Sequence, residues 1–369
     1  RPWLPHQARS FRWMVYREAV RDLFVCESNL SLPTELDKLE LAWKMDKAFD
    51  LRGGVLCDPV GSGKTATMLG LILHDRSTEE WECEVQDAVS EVIFMQKSWL
   101  TANATLVLCP DHVHEQWVKE VDRALEPGAV EATAVRTVSE LRALAPKLMA
   151  LTEEAAPEKA PQVVIVPNSV IHDASYAELI SPANKDLSKW MAGSENWKQG
   201  LALDCFVWRR LIIDEVHEVV HVCDRSKCGA KCARAELLGH LRGLKSERRW
   251  GLTGTAQEVL RDAKSVQYLA QVFRTDFNSE ASSQRFVEHY CRTNQVDVPV
   301  RVRERMEVIE QGPTERFIYQ NQARDLHTLG MDGTGEHPLS VDDLTATIPL
   351  LKLCSHFRIG LLWKEILEE

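Results

Sequence analysis

Two rhythms of apolar and polar positions run along this chain. In "RPWLPHQARSFRWMVYREAVRDLF" (1–24), Leu4, Ala8, Phe11, Val15 and Ala19 recur at helical spacing with arginines on other faces, which predicts an amphipathic helix. Short β-type runs follow: "GGVLC" (53–57), "TLVLC" (105–109), "QVVIV" (162–166), "RLIID" (210–214) and "WGLT" (250–253), with helical stretches between them. After "TLVLC", the segment "PDHVHEQWVKEVDRAL" sets Val113, Trp117, Val121 and Leu125 four apart, one helix face packed on a sheet, so Trp117 is assigned to the core. Apolar strands alternating with such helices predict an α/β fold, a mostly parallel sheet covered by helices on both faces.

Two segments break this order. Residues 75–104 have no clean period and read as an insertion, and "TEEAAPEKAP" (152–161) reads as a flexible connection. From about residue 300 the alternation stops, and "ERFIYQNQARDL" and "LTATIPLLKLCSHFRIGLLWKEILEE" read as helices. The expected organisation is one α/β lobe over 1–295, with inserted or flexible segments at 75–104, 151–161 and 221–235, then a linking helical region over 296–369. The chain begins at Arg1 rather than Met and stops within a helical pattern, so it is expected to be an excerpt of a longer protein.

Composition adds limits rather than detail. With 369 residues, 44% hydrophobic and 27% charged, the chain can bury one large core or two smaller ones. No apolar run approaches the roughly 18 residues of a membrane span, and no leader pattern opens the chain, so an intracellular protein without a membrane partner is expected. Ten cysteines sit mostly singly in apolar settings, which favours reduced, buried thiols. The net charge of -11 argues against a surface coated for polyanions, yet residues 221–250 hold eight Lys or Arg against three Asp or Glu. That stretch suits phosphates or is a solvated basic loop.

Three places carry chemistry. "CDPVGSGKT" (57–65) follows a strand and opens a helix: Gly61 and Gly63 let backbone N–H groups curve around a phosphate, the helix N-terminus favours its charge, and Lys64 adds a cation. Thr65 would hold magnesium. The glycine that opens the strict phosphate-loop pattern is replaced by Asp58, so an ordinary strand-to-helix turn competes with this reading. In "RRLIIDEVHEVV", Asp214 and Glu215 end an apolar strand, a costly place for two carboxylates unless a cation is near. Magnesium on Asp214 and a water activated by Glu215 would explain both; a strand end entering solvent is the plain alternative. In "RRWGLTGTA", Thr253, Gly254 and Thr255 close another strand with small polar groups, as a tight turn also would.

The succession "LPHQ", "CDPVGSGKT", "LVLCPDHVHEQWVKEV", "QVVIVPNSVI", "WRRLIIDEVHE" and "RRWGLTGTA" resembles the first, RecA-like lobe of the Swi/Snf-type ATPases of helicase superfamily 2, from about Arg1 to Phe273. The resemblance implies that Gln7 reads the adenine of ATP, and that Asp58, Gly61, Ser62, Gly63, Lys64 and Thr65 belong to the nucleotide site. Asp214 would be the magnesium partner with Thr65, and Glu215 the base. It also implies that Pro110, Asp111, Asn168, Ser169, Thr253 and Gly254 lie along a nucleic-acid strand, with Thr253 and Thr255 coupling hydrolysis to it. A second ATPase lobe in the parent chain, double-stranded DNA, nucleosomes or other DNA-bound proteins as partners, and a nuclear location follow from the same resemblance. An RNA helicase of the superfamily and a non-hydrolysing scaffold are the competing readings.

The match has departures. Pro59 stands where the family has an acidic residue, Val60-Gly61-Ser62 replace methionine-glycine-leucine, "DEVH" replaces DEAH, "LTGTA" replaces LTGTP, and "VPNSV" replaces a threonine-tyrosine pair. After the "DEVH" box, Cys223, Cys228 and Cys232, beside His221, form a cysteine loop that zinc would suit. Its spacing is not the paired two-residue knuckle of a strong zinc signal, and reduced cysteines in a basic loop are the other reading.

Overall fold

Seven parallel strands, in the order β5-β6-β4-β7-β8-β3-β9, carry the candidate chemistry at their carboxyl ends. The computed structural model describes residues 3–33, 40–74, 100–153, 162–183, 202–220, 233–294 and 312–328. The chain runs α1 (Pro5–Ala19), β1 (Leu23–Pro33), β2 (Glu40–Asp50), β3 (Gly53–Leu56), α2 (Lys64–His74), β4 (Leu100–Cys109), α3 (Asp111–Ala124), β5 (Glu131–Ala134) and α4 (Val138–Glu153). It continues through β6 (Gln162–Pro167), α5 (Asn168–His172), α6 (Ala174–Ala183), β7 (Phe206–Ile213), α7 (His217–Val220), α8 (Ala233–Gly243) and β8 (Lys245–Leu252). Then come α9 (Ala256–Val259), α10 (Ala263–Val272), α11 (Glu280–Tyr290), β9 (Cys291–Arg292) and α12 (Pro313–Thr328). The chain divides into two units, Arg1–Asp297 and Val298–Glu369, and α12 belongs to the second.

Alternation along each central strand builds two cores. Leu106, Leu108, Val164, Val166, Leu211 and Ile213 face one cluster, closed by α4, α5, α6, α8, α10 and α11. Val107, Cys109, Val163, Ile165, Ile212 and Leu252 face the other, closed by α1, α2 and α3. Continuous apolar runs are required because both faces are covered. This is the expected α/β arrangement, a parallel RecA-like sheet with helices on both sides.

Helix α1 is pinned to that sheet by one buried carboxylate. Glu18 accepts from Arg210 at 2.7 Å (Nε) and 2.5 Å (Nη2), from the Trp250 indole at 2.7 Å and from Arg248 at 3.3 Å. Arg210 is 1% exposed, so its charge is buried with a fork-to-carboxylate partner already in place. Trp13 adds an edge-on contact to Trp250 at 5.5 Å.

Several elements differ from their sequence expectations. Helix α1 stops at Ala19, where Val20 turns extended, and Leu23–Pro33 pairs antiparallel with Glu40–Asp50 as a hairpin. In "LFVC" every residue is apolar, so period two was invisible; burial shows it, with Phe24 and Cys26 buried and Leu23 and Val25 exposed. The stretch taken as an insertion to 104 ends sooner, because Leu100–Cys109 is one strand with an irregularity between Ala102 and Thr105. Helix α4 runs to Glu153, into the start of the segment expected to be flexible at 151–161. Strands β5 and β9 are short edge pieces with little apolar signal. Residues 75–99 and 154–161, and the last expected helix after 340, lie outside the described residues.

Candidate active site

The turn between β3 and α2 has the shape its glycines require. Gly61 and Gly63 take φ of +79° and +82°, values at which a side chain is strained. A Cβ on Gly63 would come within 2.3 Å of Gln7 Nε2, so the bare backbone is needed twice over. The Ser62 carbonyl accepts from His6 Nε2 at 2.9 Å and Gln7 Nε2 at 3.1 Å, which fixes the turn against α1. Gln7 also closes the first turn of α1, its Oε1 accepting from the Leu4 N–H at 3.0 Å. Thr65 sits half-buried in the first turn of α2.

Lys64 rests on carbonyl oxygens, donating to Asp58 at 2.9 Å and to Pro59 at 3.3 Å. Burial pulls its pKa down, while Glu215, Asp214 and Asp58 push it back up. The lysine and the acid pair therefore share one site at the ends of β3 and β7. A Cβ on Gly254 would lie 2.5 Å from Val60 and 3.5 Å from Lys64 Nζ, so the third motif packs closely against the same turn.

The two carboxylates are held differently. Asp214 is 5% exposed; its Oδ2 accepts the Trp117 indole N–H at 2.6 Å and its Oδ1 accepts the Glu215 N–H at 2.9 Å. Burial raises its pKa and the Trp117 bond opposes that rise. Glu215 adopts φ +49°, a left-handed value that a glutamate holds only where its surroundings enforce it. Its Oε2 lies 3.1 Å from His217 Nδ1; this bond lowers the Glu215 pKa and raises that of His217. His217 Nδ1 is also 3.1 Å from Thr253 Oγ1, which accepts the Thr255 N–H at 3.1 Å. A continuous polar chain thus joins Glu215 to the "TGT" segment.

Not every expected site residue has a surface to offer. Asp58 is 2% exposed, and its carboxylate accepts from Ser10 and Asn294. Thr253 is fully buried, its hydroxyl hydrogen-bonded between His217 and the Thr255 N–H. Pro110 is buried as the residue before α3. Ser169 and Asp111 are exposed and hydrogen-bonded to each other, with Asn168 beside them at the ends of β4 and β6. Sequence reading gave no role to Asn294 or His217. It placed Trp117 in the core, where it is, but not its bond to Asp214; a tryptophan on an apolar stripe gives no sign of where its N–H points.

The chemistry of the residues present fits a nucleotide with a divalent cation: glycine-shaped backbone, a half-buried lysine and two adjacent carboxylates lie at neighbouring strand ends. Cys223, Cys228, Cys232 and His221 lie outside the described residues, and among the described residues no group of three His, Cys, Asp or Glu could hold a metal. Among them, too, no helix is long and apolar enough to cross a membrane.

This combination defines a phosphate-loop α/β lobe of the RecA-like class. The family model of the SNF2-related domain matches residues 6–277, and the chain belongs to that family. It is 29% identical to a DNA (cytosine-5-)-methyltransferase DMT5 of Verticillium dahliae over 33% of this chain and 5% of that protein. It is 28% identical to the DNA repair protein rad5 of Aspergillus fumigatus over 55% of this chain and 14% of that protein. An Arabidopsis thaliana protein, a putative SWI/SNF-related matrix-associated actin-dependent regulator of chromatin subfamily A member 3-like 1, is 24% identical over 68% of this chain and 27% of its own. The chain thus spans a small part of the length of these relatives. The Sulfolobus solfataricus SWI2/SNF2 ATPase core in complex with double-stranded DNA superposes over 98% of this chain and 60% of its own, at 14% identity and a TM-score of 0.41.

Proposed function

We propose that this chain is the N-terminal ATP-binding lobe of a DNA-dependent ATPase that, with a second lobe of the same parent chain, moves along double-stranded DNA. The observation that carries the reading is the placement of the glycine turn with Lys64 after β3 and of Asp214 and Glu215 after β7, at the carboxyl ends of one parallel sheet, where Gly254 closes on Lys64. The backbone of Gly61, Ser62 and Gly63 and the Lys64 cation bind the phosphates; Gln7, bonded to that turn, faces the base. Thr65 and Asp214 would hold magnesium, which would supply neutralisation of phosphate charge there. Glu215, kept ionised by His217, orients the attacking water and takes its proton.

Asp111, Asn168, Ser169 and Gly254 form the strand-facing edge, where backbone phosphates rather than base edges are gripped. The Glu215–His217–Thr253–Thr255 chain passes the state of the acid pair to that edge. Double-stranded DNA is the partner, with nucleosomes or other DNA-bound proteins beside it, and the nucleus the location; relatives named for DNA repair and for chromatin regulation support this. Zinc in the Cys223, Cys228 and Cys232 loop is tested by elemental analysis of protein purified without chelator.

The decisive measurement is ATP turnover by the parent chain with no polymer, duplex DNA, single-stranded DNA and RNA, with Lys64→Ala as control. Stimulation by duplex DNA that is lost in the variant is expected. Stimulation by RNA alone would favour a helicase of the same superfamily. Turnover at the variant's level under all four conditions would remove the enzyme reading.

A further inference from the structure

The phosphate turn is anchored by a residue 236 positions further along, outside every motif quoted above. Asp58 follows directly on Cys57 as the chain leaves β3, and it is buried, with no salt bridge to its carboxylate among the described residues. Neutral donors hold it instead. Oδ1 accepts the Asn294 N–H at 2.8 Å and Asn294 Nδ2 at 2.9 Å; Oδ2 accepts Ser10 Oγ at 3.1 Å and Asn294 Nδ2 at 3.2 Å. Asn294 Nδ2 also donates to Ser10 Oγ at 2.6 Å, closing a buried triangle.

The triangle continues the sheet by other means. Parallel pairing of β3 with β9 ends at Leu56 and Arg292, and the Cys57 N–H still donates to the Arg292 carbonyl at 2.8 Å. Two residues on, the Asn294 N–H would meet a chain that has already turned away; the Asp58 carboxylate takes its place as acceptor. A buried carboxylate is costly wherever its donors are missing, so its position follows theirs. The same residue's carbonyl is where Lys64 Nζ rests. Fixing the Asp58 side chain therefore fixes the resting place of the lysine.

We propose that Asn294, two residues past β9, is a positioning residue for the phosphate turn, acting through Asp58 on Lys64. The role for nucleotide rests on the proposed function; the anchoring of the turn does not.

The test uses amide hydrogen exchange on the nucleotide-free 369-residue chain, alongside binding of a fluorescent ADP analogue. Asn294→Ala is expected to speed exchange across residues 57–66 by about 10-fold or more, with β4 and α3 unchanged, and to weaken ADP binding by a similar factor. Asn294→Ser, which keeps a short donor, serves if the alanine variant does not fold, and should give a smaller change of the same sign. Asn294→Asp sets two carboxylates together and should exceed both, while the swap Asp58→Asn with Asn294→Asp restores one donor-acceptor pair and should recover exchange and binding. Unchanged exchange in the turn, or a swap no better than Asn294→Asp alone, overturns the proposal. If the unmodified chain fails to bind ADP, the nucleotide reading falls, and the exchange result still decides the anchoring.

Discussion

The indole N–H of Trp117 donates to Oδ2 of Asp214 at 2.6 Å, across 97 residues of sequence and inside an otherwise apolar helix face. Helix α3 thereby both closes a core and orients a carboxylate of the candidate site. Trp117→Phe keeps most of the packing and deletes the donor. We expect a loss of about 1–3 kcal/mol in denaturant unfolding, the cost of a buried acceptor left short of a partner. The magnesium concentration needed for half-maximal nucleotide binding should rise several-fold, while magnesium-free binding stays near that of the unmodified protein.

Glu18 gathers Arg210, Arg248 and Trp250 at the underside of α1. Glu18→Ala takes the carboxylate from a buried guanidinium, a change that costs about 3–5 kcal/mol. Urea unfolding should report that loss, and the loosened α1 should also expose Trp13 and Trp250 to a fluorescence quencher. An unfolding midpoint equal to that of the unmodified chain would contradict the clamp.

The two glycines of the turn should respond unequally. Both need positive φ, yet a Cβ on Gly61 meets open space and one on Gly63 meets Gln7 Nε2. Without nucleotide, Gly61→Ala should cost about 1–2 kcal/mol from backbone strain alone. Gly63→Ala should cost more, and adding Gln7→Ala should return part of the difference. Equal costs for the two glycine variants would mean that Gln7 does not pack on the turn as described.

Asp262 caps α10, its carboxylate accepting the Ser265 N–H at 2.8 Å; that bond holds its pKa below the usual 3.8. Since the folded pKa is depressed, the cap contributes fully above 3.8 and is lost as pH falls through the folded value. Asp262→Ala should therefore lower stability by about 0.5–2 kcal/mol at neutral pH. The gap between variant and unmodified chain, followed by denaturant unfolding, should narrow only in the acid range below 3.8. A gap of constant size down to strong acid would assign the effect to something other than the ionised cap.

The sequence by itself determined the parallel sheet. Five apolar runs named five of the seven parallel strands, because a strand covered on both faces must be apolar at nearly every position. The turn at Gly61 and Gly63 was legible from its glycines, whereas Lys64, Asp214 and Glu215 were singled out by the order of the motif blocks, since a plain turn and a strand end entering solvent explain the same letters. The hairpin at Leu23–Pro33 was not, since its two faces carry similar side chains and only burial separates Phe24 from Leu23. Nor could any local pattern tell that Asp58 is held by Asn294, that Trp117 aims at Asp214, or that His217 bridges Glu215 to Thr253. Those relations join residues 36 to 236 apart, and their energy comes from polar groups that burial forces to find partners. Periodicity records which face a residue turns inward; only the packed fold decides which donor is waiting there.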